Sequence, residues 1–293
     1  MKTKLHLLLI LALLSSSFIL GQNPGDWKDT DAAMGRPGQD QPDGTHKYGL
    51  PRTDMNVALG GVQLRAGLAL GSWVAFKSTD HGHAMAMGDL VLMQEEVGPV
   101  MQELEAGGIE ITALHNHLLG ESPHVMYMHI QGMGPAASLA KAIHAAILKT
   151  KTPDAGPPAQ AKDPGIDTKQ IDQILGRAGK NNGGIYQVSV PRAEHITEGG
   201  MTLPNSMGVS TALNFQATGD GKAAITGDFV LLGSEVNSVI KALNSNGIAV
   251  TAVHNHMLTE QPRLFFMHFW ANDDAVKLAK GLRAALDQTN SAK

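Results

Sequence analysis

Along the second half of the chain, apolar and polar positions alternate, change period, and alternate again. Ile185 to Val190, Ser210 to Ala217 and Ala223 to Leu232 are rich in β-branched and apolar residues between Gly and Asn turn signals, and predict short strands. The period then lengthens. Val236, Val239, Ile240 and Leu243 sit at i, i+3, i+4 and i+7, one face of a helix, and Val97, Val100, Met101 and Leu104 occupy matching places earlier in the chain. Asn246-Gly247 and Gly107-Gly108 stop these helices with residues that accept a left-handed backbone. Two further strands, Ile248 to His256 and Leu264 to Trp270, precede a closing helix from about Asp274 to Asp287. The order β-β-β-β-α-β-β-α predicts an α+β domain with a mostly antiparallel sheet and helices on one face.

The unit is written twice. At an offset of 139, Thr112 to His124 (TALHNHLLGESPH) aligns with Thr251 to Arg263 (TAVHNHMLTEQPR), with eight identities in thirteen. The same offset pairs Gly88-Asp89 with Gly227-Asp228, Gly60-Gly61 with Gly199-Gly200, and His129 with His268. Two tandem copies are expected, at 27–150 and 168–290, packed as a pseudo-symmetric pair. The Pro- and Gly-rich stretch 151–167 reads as a linker. Residues 1–21 read as a secretory signal peptide: Lys2 and Lys4, an apolar run from Leu5 to Leu14, then Ser15-Ser16-Ser17 and Gly21. Export to the periplasm or beyond is expected, with no stable membrane anchor, because no later run approaches the roughly 20 apolar residues of a membrane span.

Composition narrows the chemistry. The 293 residues carry 23 Lys plus Arg against 27 Asp plus Glu, a net charge of -4 that gives no general attraction to nucleic acid. No cysteine is present, which removes disulfides, thiolate metal sites and cysteine nucleophiles together. There are, however, 13 His and 14 Met.

The histidines fall into a repeated pattern. His115 and His117 flank Asn116, and His254 and His256 flank Asn255, so in a strand each pair points to one side, about 7 Å apart. His129 and His268 take the same place on the following strand, and three imidazoles on adjacent strands can hold a metal ion with positions open for water or substrate. Glu121 and Glu260, four residues after the second His, are candidate ligands or general bases. Asp89 and Asp228 can serve as turn residues, as hydrogen-bond partners of the histidines, or as ligands. The His-x-His-x-x-x-Glu spacing is similar to the first motif of cupins, although no second cupin motif follows. A second cluster occurs in the first copy alone: His81, His83, Met85 and Met87 alternate with small residues, and imidazoles with thioethers suit Cu(I). Packing of Met85 and Met87 in a core competes with that reading. Glu96 and Glu235 fall in the first turn of a helix, where a carboxylate meets the helix dipole, and Arg52 and Arg192 read as solvated strand ends.

The duplicated Gly-Asp-(Leu/Phe)-Val-Leu before the helix, with (Ala-Leu/Ala-Val)-His-Asn-His before a Met-(Tyr/Phe)-x-His strand element, resembles the LppY/LpqO conserved domain family. That resemblance spans both copies and implies an exported bacterial protein with tandem domains; it brings no activity with it. The residues lead to the expectation of an exported metal-binding protein, a metal-dependent hydrolase acting on an unidentified small-molecule or envelope-derived substrate. A zinc-like ion would sit on His115, His117 and His129, and again on His254, His256 and His268, with Glu121 and Glu260 moving protons. A non-catalytic copper carrier and a metal-free ligand-binding module are the other readings.

Overall fold

In the computed structural model, which describes residues 26–79, 83–154 and 162–292, each copy folds around one six-stranded antiparallel sheet. The first copy runs α1 (Lys28–Met34), β1 (Thr45–Pro51), β2 (Gly71–Ser78), β3 (His83–Met93), α2 (Val97–Ala106), β4 (Glu110–His115), β5 (Val125–Pro135) and α3 (Ala136–Ile147). The second repeats this as α4 (Thr168–Leu175), β6 (Ile185–Pro191), β7 (Ser210–Gly219), β8 (Lys222–Leu232), α5 (Val236–Ser245), β9 (Ala249–His254), β10 (Leu264–Asp274) and α6 (Ala275–Leu286). The sheet orders are β1-β2-β3-β5-β4 and β9-β10-β8-β7-β6, with Gln39–Asp40 beside β1 and Lys180–Asn182 beside β6. The α+β class, the antiparallel sheets and the helices on one face are therefore as expected from the pattern. The sheets are open, unlike the barrel the cupin-like spacing brings to mind. Additional two-residue strands and short helical turns fill the loop that follows the first long strand of each copy.

The alternation along β3 explains how the layers stack. Ala84, Ala86, Leu90 and Leu92 pack with Val100 and Leu104 of α2 and with Leu139 and Ile143 of α3. Met85 and Met87, on the opposite face, pack with Ile196, Leu203, Val209, Val230 and Phe266 of the second copy. Val91 joins a further cluster that reaches Ile185 and Ala224 of that copy. In β8, Ile225, Phe229 and Leu231 likewise face helices α5 and α6. Each sheet thus has helices on one face and the other copy on the other, so that residues 84–92 are buried without a break. This is why β3 and β8 read as nearly continuous small and apolar runs.

The opening helices α1 and α4 are absent from the pattern-based reading. Helix α4 is only eight residues long, starts at Asp167, whose side chain accepts from the Gln170 amide (3.0 Å), and buries Ile171 and Leu175 one turn apart. Such a short helix is held by tertiary packing and gives a weak periodic signal.

Arg52 and Arg192 are not solvated, and Glu96 and Glu235 do more than meet a helix dipole. The Arg52 guanidinium, fully buried, donates to both oxygens of Glu96 (2.7 and 2.9 Å), to Asp54 and to the Val91 carbonyl (2.6 Å). Arg192 repeats this with Glu235, Glu194 and the Val230 carbonyl. Glu96 also accepts from the Lys151 amide, and Glu235 from the Asn290 amide. Each pair therefore ties the segment after the last helix to a central strand of the sheet, through bidentate geometry that only a planar guanidinium provides.

Candidate metal centre

The bonds that place the histidines begin with the sheet register. Asp89 pairs with His129 across β3 and β5, and His115 pairs with Tyr127 across β4 and β5. The second copy repeats this as Asp228 with His268 and His254 with Phe266. A register shift interrupts each edge strand at the same point, between Ile111 and Ala113 and between Val250 and Ala252. The extra residues are Thr112 and Thr251, and bulges of this kind redirect side chains. The Thr112 hydroxyl donates to the His256 carbonyl (2.5 Å), and the Thr251 hydroxyl donates to the His117 carbonyl (2.5 Å).

Both strands end at the first histidine, so His117 and His256 lie on the loops beyond. The intervening asparagines hold those loops. Asn116 Nδ2 donates to the carbonyls of Leu118 (2.9 Å) and Thr251 (3.2 Å), and Asn255 Nδ2 donates to those of Met257 (2.9 Å) and Thr112 (3.0 Å). The His-Asn-His motif is thus a clasp between the two domains: its central residue grips the backbone while its outer residues enter the interface.

Six imidazoles meet there. His115 stacks on its repeat mate His254 with ring centroids 3.6 Å apart; His117 lies 3.6 Å from His268, and His129 lies 3.7 Å from His256. His117 is covered on its other face by Tyr127 (3.3 Å) and His256 by Phe266 (3.4 Å). Three groups of side chains bring ligand atoms within 4.8 Å of one another: His115, His117 and His268; His115, His129 and His254; and Asp228, His254 and His256. The third imidazole beside His115 and His117 therefore comes from the other domain. His129, expected as that third ligand, points its Nε2 toward Asp89 (4.0 Å) and stacks on His256.

The tautomer of one ring is fixed by its partner. His268 Nδ1 lies 2.7 Å from the Gly227 carbonyl, which can only accept, so Nδ1 carries the proton and Nε2 presents its lone pair. That Nε2 is 3.3 Å from His115 Nε2. Glycine is required at 227, because a Cβ there would fall 1.9 Å from the Ala212 carbonyl oxygen; at Gly88 the corresponding approach, to the Trp73 carbonyl, is 2.8 Å. The Gly-Asp dipeptide thus supplies a close strand contact, a carbonyl that orients a histidine, and a carboxylate beside the cluster.

Burial keeps these rings neutral. The pKa values of His115, His117, His129, His254 and His268 are driven below the ordinary imidazole range by desolvation and by the neighbouring rings, and that of His256 is lowered to about 3 by desolvation. Neutral imidazole is the ligand form. The carboxyls move the other way: desolvation and the Asp228 charge raise Asp89, and desolvation raises Asp228 to about 6. Asp228 Oδ2 is 3.1 Å from His256 Nε2, and Asp89 Oδ2 is 3.7 Å from His117 Nε2. Buried ring nitrogens of His115, His117, His129, His254 and His256, with Oδ1 of Asp89 and of Asp228, have no hydrogen-bond partner. So many unpaired polar atoms in one interface call for an explanation.

The remaining candidate residues lie elsewhere. Glu121 Oε1 accepts from the Val125 amide (3.3 Å) and lies 2.8 Å from His124 Nδ1; Glu260 accepts from the Leu264 amide (2.8 Å) and from Arg263 (3.1 Å). Both glutamates thus hold the entry of the following strand. Met85 and Met87 are buried in the apolar contact between the copies, where hydrophobic transfer alone is worth about 1.5–3 kcal/mol for each. His83 is exposed at the start of β3, and His81 lies outside the described residues, as does the stretch 1–21. An open cleft of about 400 Å³ near Asp43, Lys77, His195 and Asn205 includes none of the six clustered histidines.

A duplicated α+β domain with a histidine-rich face between its copies is the class that this fold and site define. A family model matches residues 28–149 and again 169–288, and the chain belongs to that family, described as Domain of Unknown Function (DUF1259). No curated protein matches the chain. Among solved structures, it is similar to the crystal structure of a trimeric bacterial microcompartment shell protein PduB, at 13% identity over 84% of this chain and 88% of that one, with a TM-score of 0.20. A likeness at that score carries no argument here. Among the described residues, no helix is long and apolar enough to cross a membrane.

Proposed function

We propose that the two domains jointly bind a late first-row divalent cation, zinc or a close relative, on His115, His117 and His268. The observation that carries this reading is the 3.3 Å separation of His115 Nε2 and His268 Nε2. Two nitrogens on a tetrahedral ion with Zn–N bonds of about 2.0–2.1 Å stand about 3.3–3.4 Å apart. Three nitrogen donors without sulfur favour zinc, copper or nickel over calcium or magnesium. The Gly227 carbonyl supplies His268 with the outer partner that such a ligand ordinarily has.

A zinc-type ion held by these three imidazoles would supply an acidified water, the chemistry of a hydrolytic reaction. Asp89, beside His117, is the carboxylate placed to accept the proton, while Glu121 is engaged with the backbone. The basic start, apolar run and small residues of the first 21 positions support export, and the paired His-Asn-His segments support kinship with the LppY/LpqO proteins. Packing of Met85 and Met87 against the second domain weighs against the copper-carrier reading.

The test is metal content by inductively coupled plasma mass spectrometry on protein purified without tag or chelator, alongside His117→Ala and His268→Ala. Bound metal lost in both variants supports the shared site; full retention in His268→Ala removes the cross-domain ligand. Cleavage of chromogenic ester and phosphoester substrates, abolished by chelator and restored by Zn²⁺, tests the hydrolytic part. A metal-loaded protein inert toward them would leave a binding protein.

A further inference from the structure

We infer that the interface holds a second, separate divalent cation on Asp228, His254 and His256, so that the centre is binuclear. This rests on the reading of the first site and extends it. The two ligand groups, His115–His117–His268 and Asp228–His254–His256, share no residue, so both can be occupied at once. The second group has its own unanswered atoms: both ring nitrogens of His254, Nε2 of His256 and Oδ1 of Asp228 are buried without a hydrogen-bond partner. Filling the first site would satisfy none of them.

Donor chemistry supports the same conclusion. His256 Nε2 and Asp228 Oδ2 are 3.1 Å apart, close to the separation of two ligands on one small cation. The backbone of Gly208 hydrogen-bonds His256, which holds the ring and leaves Nε2 unpartnered, 3.1 Å from Asp228 Oδ2. Phe266 against one face and His129 against the other fix its plane. His254 stacks on His115, so one ring of each site forms the wall between them. Two nitrogens and one carboxylate oxygen suit Zn²⁺, Co²⁺ or Ni²⁺, and the carboxylate makes this site the harder of the two. The His-x-His of each domain serves one ion, the first completed by His268 of the other domain and the second by Asp228 of its own.

The experiment is titration of the chelator-stripped full chain with Co²⁺ and with Zn²⁺, read by calorimetry and by the visible absorption of Co²⁺ in a low-symmetry site. Two equivalents are expected, falling to one in Asp228→Asn with His256→Ala and to a different one in His117→Ala, with distinct Co²⁺ spectra for the two remaining sites. A wild-type stoichiometry of one equivalent overturns the second site and leaves the first standing. No binding at all overturns both. Because the wild-type stoichiometry decides the matter, a variant that fails to fold does not rescue the idea.

Discussion

Acidification of the metal-free protein gives the most direct measure of the buried cluster. His256 holds a folded-state pKa of about 3, against an ordinary imidazole value near 6.5 in the unfolded chain. Its contribution to stability is therefore complete above about pH 6.5 and is lost as the pH falls below that value, until the folded value is reached. At pH 5 the loss is about 1.5 pH units at 1.36 kcal/mol each, or about 2 kcal/mol from this residue. His115, His117, His129, His254 and His268 shift in the same direction for the same reason, burial beside other imidazoles. Asp228 works in the opposite sense. With its folded value raised to about 6, it takes up a proton before the unfolded chain does, and so returns about 1 kcal/mol between pH 6 and pH 5. Asp89 is raised as well and acts in the same direction as Asp228. Six rings against two carboxyls leave a net loss of several kcal/mol, a large part of an ordinary folding stability of about 5–15 kcal/mol. Differential scanning calorimetry of chelator-treated protein should show Tm falling by on the order of 10 °C between pH 7.5 and pH 5. The double variant His254→Gln, His256→Gln should titrate less steeply. A metal-free Tm unchanged across that range would refute the claim that the rings are buried and neutral.

Two structural perturbations bear on the frame around the cluster. Glu96→Gln should lower stability by about 1–3 kcal/mol, measured by urea unfolding, because it removes one of the two carboxylates that pair with the buried Arg52 guanidinium and leaves Asp54 as the other; no measurable loss would return the pair to a surface role. Gly227→Ala should be more damaging than Gly88→Ala, in both Tm and metal content, since the added carbon meets the Ala212 carbonyl at 1.9 Å but the Trp73 carbonyl at 2.8 Å; equal effects, or the reverse order, would discount the close strand contact.

The fold was largely legible because its signals are local. Val236, Val239, Ile240 and Leu243 mark α5 through their spacing, and β6, β7 and β8 begin and end within a few residues of the alternating runs. What escaped depended on contacts far away in sequence. Helix α4 has too few turns to register, although Asp167 followed by Ile171 and Leu175 is a usable cue in hindsight. Arg52 and Glu96 stand 44 residues apart, so nothing local distinguishes a buried guanidinium from a solvated one. Alternation brought His115 and His117 together for a partly mistaken reason. The strand stops at His115, and a loop clasped by Asn116 brings the rings to centroids 5.1 Å apart. Spacing within one copy groups His129 with His115 and His117, and it carries no information about how the two copies face each other.

That facing arrangement also separates function from packing. An apolar interface would hold two such sheets together at less cost, since neutral imidazoles and unpaired carboxylates lose hydration without gaining partners. Elsewhere on the same surfaces the copies have diverged: Met85 corresponds to Ala224, Met87 to Thr226, and Gln131 to Trp270. At the cluster they have not. His115, His117, His129 and Asp89 all recur as His254, His256, His268 and Asp228, together with Asn116 and Thr112 as Asn255 and Thr251. The two halves have drifted at their other contacts yet are identical at these six costly polar positions, an identity that apolar packing does not require. The two proposed cations would give His117, His254, His256 and Asp228 the partners they lack, whereas a hydrogen-bonded organic ligand would need a donor or acceptor for each of them in turn.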